Sequence, residues 1–480
     1  MEREQIARYL QGELRRMPEL AEGMTQRNGI PFNYRSLYFR LKKRIDDFLK
    51  GSEERLVIIP GLRGVGKTTI LFQLYNYLIK DKGIKQERVL VLFADELKKY
   101  FDAEILDAVR VFVEDIMKTD LPTLKERIFI IIDETHFDKE WDSGVKIIYD
   151  KTKNIFLLVT GSSALSMEMS ADVARRSVKE PLFPLNFSEY LILKHRFFSE
   201  KHTASTVRNL IFEPSEKTIK QASDLWHNLQ RDSIRKGADL WREFDFFLMK
   251  GGFPFAIHTE DKLSYECITG MIERIVEKDI LTLHSFTTET RNLITRIIYF
   301  LAAQKPGGTS DAKLSQRFGA SSRLIRGILD ILEKTHLIFS VKPYGGAGKL
   351  VRKPWKYYFL SPSISAAIRY KLGLLDILDR DMLGCLAEGL VASTLFRINE
   401  TIQRIGIFYD PEKEGVDFLI QKGAGELIPV EVGIGKKDKI QIKRAIKRYN
   451  STHGIVISNT SEIKRVNRII YIPMVFFGFA

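Results

Sequence analysis

Cysteine is nearly absent: Cys267 and Cys385 are the two in 480 residues. So few thiols exclude a disulfide framework and a Cys-based zinc site, and they suit a reducing, cytoplasmic setting. Long apolar runs are missing as well. No stretch approaches the roughly 20 apolar residues of a membrane span. The opening residues, MEREQIARYLQGELRRM, are charged where a secretory signal needs an apolar segment. What is present is ordinary for a globular chain, with 44% hydrophobic and 28% charged residues. The length predicts roughly two to four domains. Lysine and arginine outnumber the acids, 75 to 61, for a net charge of +14. A phosphate-rich partner such as DNA or RNA is one reading of that excess, and solubility is the other.

The densest signal is Gly61-Leu62-Arg63-Gly64-Val65-Gly66-Lys67-Thr68, which fits G-x-x-x-x-G-K-[ST] without a mismatch. Leu56 to Ile59 before it read as a buried strand, and Thr69 to Ile79 after it as a helix. Glycines let backbone N–H groups close around phosphates, and the helix N-terminus adds partial positive charge. Lys67 has the reach for the β- and γ-phosphates, and the Thr68 hydroxyl can ligate magnesium. Gly61, Gly64, Gly66, Lys67, Thr68 and Thr69 form the candidate ATP-binding set.

After a further strand, Arg88 to Phe93, the apolar run Arg127 to Ile132 ends in Asp133-Glu134. This is the Walker B pattern, a doubly buried strand delivering a carboxylate to its C-terminal edge, where ligands bind in open parallel sheets. Asp133 is expected to hold magnesium through water, and Glu134 to act as general base. A fourth strand, Asn154 to Val159, ends in Thr160-Gly161-Ser162-Ser163. Ser162 is the candidate for contacting the γ-phosphate or the lytic water, with a plain turn as the competing reading. Arg175-Arg176 follow. Arg176 is read either as an arginine finger on a neighbouring subunit's nucleotide or as part of a solvated surface pair.

The order GLRGVGKTT, IIIDETHFDKEWDSGVKIIYD, IFLLVTGSSAL, ARRSVKEPLFPLNFSEYL and FLMKGGFPFA resembles the prokaryotic AAA+-like ATPases, abundant in archaea. Those proteins join the ATPase to a C-terminal domain related to PD-(D/E)xK nucleases. They carry Gly-Ser-Ser after the fourth strand, a Gly-Arg, a Pro-Leu-[Ser]-Phe-x-Glu segment and a Gly-Gly-[Tyr/Phe]-Pro turn. Pro184 to Tyr190 and Gly251-Gly252-Phe253-Pro254 match. Arg176 falls on the Gly-Arg position, but Arg175 replaces the glycine. The resemblance spans about Ile58 to Ile457 and implies a homo-oligomer, most simply a hexameric ring.

From about Phe198 to Trp241 the chain is charged with little strand pattern, and is read as helices on the lid side of the ATPase. From about Thr288 to Pro362, Leu293 to Leu301 mark one helix, Ala312 to Phe318 a second, and Leu324 to Leu332 a third capped by Ser321-Ser322. Leu337 to Val341 and Lys356 to Leu360 flank a Gly-rich basic hairpin. Three helices followed by a hairpin make a winged helix. Arg323 and Arg326 on the third helix and Lys349, Arg352, Lys353 and Lys356 on the wing are candidate DNA contacts. Packing against a neighbour or a protein partner is the alternative.

The C-terminal stretch resembles the PD-(D/E)xK nuclease core. The resemblance maps its helix acid to Glu388 and its strand acids to Asp417 and Glu431, implying magnesium at Asp417 and Glu431. The usual lysine two residues after the last acid is Gly433 here. Lys443, Lys447, Lys436 and Lys437 are substitute candidates; otherwise the domain is a relic that binds DNA or a partner. Lys443 and Lys447 also belong to a basic run suited to a phosphate backbone.

The expected architecture is α/β: a P-loop AAA+-like parallel sheet domain (1–195), a helical lid (196–287), a winged helix (288–365) and a PD-(D/E)xK-like α/β domain (366–480). The expected function is a magnesium-dependent ATPase acting on duplex or branched DNA without sequence specificity. A nucleotide-controlled signalling or defence switch and a protein-binding ATPase are the alternatives.

Overall fold

The computed structural model describes residues 2–162, 169–280, 286–346, 348–349, 353–376, 378–423, 425–433 and 439–480. The chain divides into two compact units, Met1–Phe183 and Pro184–Ala480.

The first unit is built on a short hairpin, β1 (Gln26–Arg27) with β2 (Ile30–Pro31), and a parallel sheet of β3 (Leu56–Pro60), β4 (Val89–Phe93), β5 (Ile128–Asp133), β6 (Ile155–Gly161) and β7 (Val178–Lys179). The sheet runs β4-β5-β6-β3-β7. β3, β5 and β6 are buried at every position, which is why they read as unbroken Val/Ile/Leu/Phe runs rather than alternating ones. The order has a consequence for the site. The phosphate-loop strand β3 pairs with β6, and β6 with the Walker B strand β5, so the polar end of β6 lies between loop and carboxylate. The helix Lys67–Asn76 leaves the loop directly. The N-terminal helix Glu2–Thr25 buries Ile6, Leu10, Met17 and Ala21, and Ile6 and Leu10 join the sheet's core. It is therefore part of this unit, held by a narrow apolar stripe inside a charged segment.

The second unit opens with helices Phe187–His195, Thr203–Phe212, Glu216–Arg235, Leu240–Lys250 and Asp261–Arg274. Gly251 and Gly252 follow the fourth of these for want of space. A Cβ on Gly252 would lie 2.2 Å from the Ser361 Oγ, and one on Gly251 would lie 2.7 Å from the Phe247 Cα. The helices Thr288–Ala303, Asp311–Phe318 and Ser322–Lys334 come next, the last two capped by Ser310 and Ser321. Strands β8 (Gly308–Thr309), β9 (Ile338–Pro343), β10 (Trp355–Phe359), β11 (Gly406–Tyr409), β12 (Phe418–Lys422), β13 (Glu426–Gly433), β14 (Gly454–Ser458), β15 (Lys464–Val466) and β16 (Ile469–Pro473) complete it. All belong to one sheet, in the order β15-β16-β14-β13-β12-β11-β9-β10-β8. The hairpin β9–β10 is thus joined edge-on to the C-terminal strands through the parallel pair β9–β11. Helices Arg380–Thr401 and Lys439–Arg448 pack on this sheet. Among the described residues, no helix is long and apolar enough to cross a membrane.

Candidate active site

The phosphate loop spans from β3 to its helix with Gly64 and Gly66 at φ of 80° and 96°, in the left-handed region that glycine enters without steric cost. A Cβ on Gly61 would sit 2.5 Å from the Leu182 carbonyl oxygen, so the loop's first glycine is required by close backbone approach. The Lys67 ammonium donates to the carbonyls of Gly61 and Leu62 at 2.8 and 3.0 Å. Arg35 donates to the Val65 carbonyl at 2.6 Å and to that of Phe183 at 2.9 Å, bracing the loop from outside.

Across the loop, the Thr68 hydroxyl donates to Asp133 Oδ2 at 2.7 Å. Asp133 Oδ1 accepts from the Thr160 hydroxyl and from the Glu134 backbone N–H at 3.1 Å. Asp133 is buried. The row Thr68–Asp133–Thr160 follows from the strand order, because β6 ends beside β5. Glu134 has φ 54°, a conformation uncommon for a side chain with a Cβ and concentrated at functional sites. Burial raises its pKa; Arg63 opposes this and Asp133 adds to it. Arg63 lies 3.2 Å from the Glu134 carboxylate.

A short turn, Thr135–Phe137, follows. The Thr135 hydroxyl donates to the Thr160 carbonyl at 2.8 Å, and Asp138 accepts from the Ile105 N–H at 2.8 Å. His136 between them is buried, and the Ser162 backbone N–H donates to its Nδ1 at 3.4 Å. Burial, reinforced by the cations of Lys67 and Arg63, pushes its pKa down to about 3. Sequence reading passed over His136, because a lone histidine after an Asp-Glu pair carries no spacing signal. Ser162 is buried at the same edge, contributing its backbone to His136, while Thr160 makes the contact with Asp133. Ser163 lies outside the described residues. Arg176, on the short helix Ala171–Arg176, is held by Asp150 at 2.8 Å, and its neighbour Arg175 by Asp172.

These residues fit a magnesium nucleotide. The loop has the left-handed glycines that turn N–H groups inward. Thr68 and Asp133 present adjacent oxygens of the kind magnesium takes. Lys67 is at hand as a phosphate cation.

In the second unit the basic residues divide. Arg323, Lys353, Lys443 and Lys447 are exposed. Arg323 borders an open groove of about 500 Å³ with Phe286, Leu324, Gly327 and Lys334. Lys349 pairs with Glu412 at 2.8 Å. Arg352, Lys436 and Lys437 lie outside the described residues. Two expected DNA contacts are turned elsewhere. Arg326 is bound to Asp311 at 2.9 Å and stacks over Trp355 at 4.4 Å. Lys356 points inward, 3.3 Å from Glu388, with the two side chains 14% and 15% exposed. β10 alternates, so Lys356 and Tyr358 share one face, and the Tyr358 hydroxyl donates to the same Glu388 oxygen at 2.6 Å.

The three acids expected from the nuclease resemblance lie near one another without closing on a common point. Glu388 sits on the helix Arg380–Thr401. Asp417 precedes β12 and accepts from the Val432 N–H at 2.8 Å. The register Phe418 opposite Val430 sets it beside Glu431, which is buried on β13. Burial raises the Glu388 pKa, with Lys356 opposing and Asp417 adding to the rise. Among the described residues, no group of three or more His, Cys, Asp or Glu side chains could hold a metal ion. Glu388 instead meets the Lys356 ammonium, while Asp417 and Glu431, the two acids at which the resemblance implied magnesium, stand side by side across the hairpin.

Residues 53–191 match the AAA domain family, and residues 242–376 match a domain of unknown function (DUF8612). The uncharacterized protein MJ1637 of Methanocaldococcus jannaschii is 32% identical over 436 residues, covering 91% of this chain and 87% of that one. A second protein of that organism, the uncharacterized protein MJ1544, is 24% identical over 404 residues, covering 82% and 78%. Among solved structures, the Aeropyrum pernix ORC1 protein in complex with DNA aligns with 13% identity and a TM-score of 0.33, covering 73% of this chain and 97% of that one. Residues 53–191 are therefore an AAA-type P-loop domain, and the identity shared along nearly the whole of both chains makes this protein a member of the same family as MJ1637.

Proposed function

We propose that this chain is a magnesium-dependent ATP hydrolase that acts on DNA. The observation that carries the first half is the hydrogen-bonded row Thr68–Asp133–Thr160 at the C-terminal edge of a parallel sheet, beside Lys67 and Glu134. The loop N–H groups and Lys67 would bind and orient the phosphates, and Thr68 with Asp133 would hold magnesium. Magnesium, when bound, offsets the phosphate charge that builds up in phosphoryl transfer. Glu134 takes the proton of the attacking water, a task its upward-shifted pKa suits. The test is phosphate release with magnesium and ATP. Lys67→Ala should impair nucleotide binding, and a wild type that neither binds nor hydrolyses ATP sinks the assignment.

DNA as the partner rests on the net charge of +14 and on the exposed cations Arg323, Lys353, Lys443 and Lys447. Many phosphate contacts and few base readers favour duplex or branched DNA without sequence preference. The topology helix–β8–helix–helix–β9–β10 supports reading residues 288–365 as a winged helix. We do not assign DNA cleavage, because Glu388 is already paired with the Lys356 ammonium and hydrogen-bonded by the Tyr358 hydroxyl. A hexameric ring is proposed from the family resemblance and from Arg175-Arg176. Mass measurement with a non-hydrolysable ATP analogue and DNA tests it, and a strict monomer under those conditions refutes it. A nucleotide-controlled switch is the second reading, favoured by one contact, the Arg63 guanidinium 3.2 Å from Glu134. If hydrolysis speeds up in Arg63→Ala, that contact restrains the general base.

A further inference from the structure

We infer that His136 reads the terminal phosphate of the bound nucleotide, donating a hydrogen bond from Nε2 and so distinguishing a triphosphate from a diphosphate. The inference rests on the reading of the first unit as a nucleotide site.

Three observations carry it. The first is the tautomer. The Ser162 N–H points at Nδ1 at 3.4 Å, and a backbone N–H can only donate. Nδ1 is therefore the acceptor, and the ring proton of a neutral imidazole must sit on Nε2. The second is that the resulting donor is unspent. His136 is 9% exposed, and its Nε2 has no hydrogen-bond partner among the described residues. A buried polar group without a partner costs stability, so such a group usually has a function that repays it. The third is placement. The Thr135 hydroxyl is clamped to the Thr160 carbonyl, and the Thr160 hydroxyl is bound to Asp133, the carboxylate that also accepts from Thr68. His136 thus stands between the ends of β5 and β6. It is near enough to Lys67 and Arg63, the two cations of the phosphate loop, for both charges to act on its ring. The turn is fixed at both ends, by Thr135 and by Asp138, so the donor is oriented in advance, as electrostatic recognition requires. A core histidine serving packing alone would have its second nitrogen satisfied or facing apolar neighbours distant from the loop cations.

The experiment compares binding of magnesium with ADP and with an imido-bridged ATP analogue, using full-length wild type, His136→Ala and His136→Gln, by competition against a fluorescent nucleotide. A hydrogen bond to a charged acceptor predicts that His136→Ala loses roughly 10- to 100-fold of the preference for the triphosphate analogue while keeping its ADP affinity. His136→Gln retains an N–H donor and should recover part of that preference. Nitrogen spectra of histidine-labelled protein give a readout independent of binding strength. The ring should show the Nε2–H tautomer without nucleotide, and its Nε2 proton should move with the triphosphate analogue and not with ADP. Unchanged discrimination in His136→Ala, or a ring protonated at Nδ1, overturns the proposal. If His136→Ala melts below the working temperature, His136→Gln and the spectra decide. Wild type that binds neither nucleotide overturns the nucleotide-site reading and this proposal with it. Wild type that binds both, with His136→Ala discriminating equally, removes only the histidine.

Discussion

Each unit holds a carboxylate largely out of water, Asp133 at the end of a strand and Glu388 on a helix, and the two are satisfied with opposite chemistry. Asp133 accepts from the hydroxyls of Thr68 and Thr160 and from a backbone N–H. All three donors are neutral, so the carboxylate keeps its charge for a cation. Glu388 accepts from a tyrosine hydroxyl and from the Lys356 ammonium, so its countercharge comes from its own chain. A buried acid surrounded by neutral donors is prepared for something that arrives. A buried acid facing an ammonium is already part of the structure.

The largest effect that sharpens this contrast is on turnover. Glu134→Gln keeps the shape of the first site and removes its base, so ATP hydrolysis should fall roughly 10²- to 10⁴-fold with nucleotide binding retained. Equal turnover in the two proteins would remove Glu134 from the chemistry. Glu388→Gln should leave hydrolysis unchanged, since its partners are all in the second unit.

Next in size is a stability effect confined to the second unit. Lys356→Met strands the Glu388 carboxylate, and loss of one partner of a buried ion pair costs about 3–5 kcal/mol. Because each side chain keeps some exposure, the lower end of that range is expected in urea unfolding. The double variant Lys356→Met/Glu388→Gln should regain part of the loss. If Lys356→Met unfolds at the wild-type midpoint, the pair is not a latch, and Lys356 returns to the set of cations available to DNA.

The same carboxylate gives a pH test. Burial raises the Glu388 pKa above its unfolded value, so the folded state binds the proton more tightly. Its contribution to stability is then fully present below the ordinary glutamate range and is lost as pH rises through the raised value. Wild type should therefore show a more negative slope of stability against pH in that window than Glu388→Gln. Parallel slopes would mean that Lys356 holds Glu388 ionised throughout.

How far the sequence disclosed each region follows from the same physics. The strands of the first sheet were legible because burial on both faces leaves continuous apolar runs, and the loop because its glycines answer a backbone need that no other residue meets. The capped helix Ser322–Lys334 was legible from Ser321 and its inner face of Ile325, Ile328 and Leu332. His136 was hidden because its role comes from the order β5-β6-β3, which brings Ser162 to its ring, and no local pattern encodes strand order. Lys356 misled for a related reason. On its own hairpin it reads as a wing lysine, and it meets Glu388, 32 residues away, because β9 joins β11 and closes one sheet. The acids Asp417 and Glu431 were found from the resemblance, and the hairpin register does set them side by side. Only the fold shows that the helix acid already has a lysine.

The smallest expected effect tests whether exposed and buried lysines of the second unit really differ in role. Lys443 and Lys447 stand exposed on the helix Lys439–Arg448, whereas their helix neighbours Arg444 and Arg448 are occupied by Glu414 and Asp410. A free lysine on a DNA-facing surface displaces about one condensed counterion per phosphate it neutralises. Lys443→Gln and Lys447→Gln should therefore each flatten the slope of log affinity against log salt by about 0.9 on duplex DNA, alike for unrelated sequences. Arg448→Gln and Lys356→Gln should leave that slope where it was, because those cations are already spent within the protein; what they change is the unfolding midpoint. Anisotropy titrations across a salt series separate the two kinds of cation without reference to hydrolysis. If Lys356→Gln flattens the slope as much as Lys443→Gln does, its pairing with Glu388 opens when DNA binds, and the second site gives up an internal countercharge to a ligand where Asp133 in the first holds none.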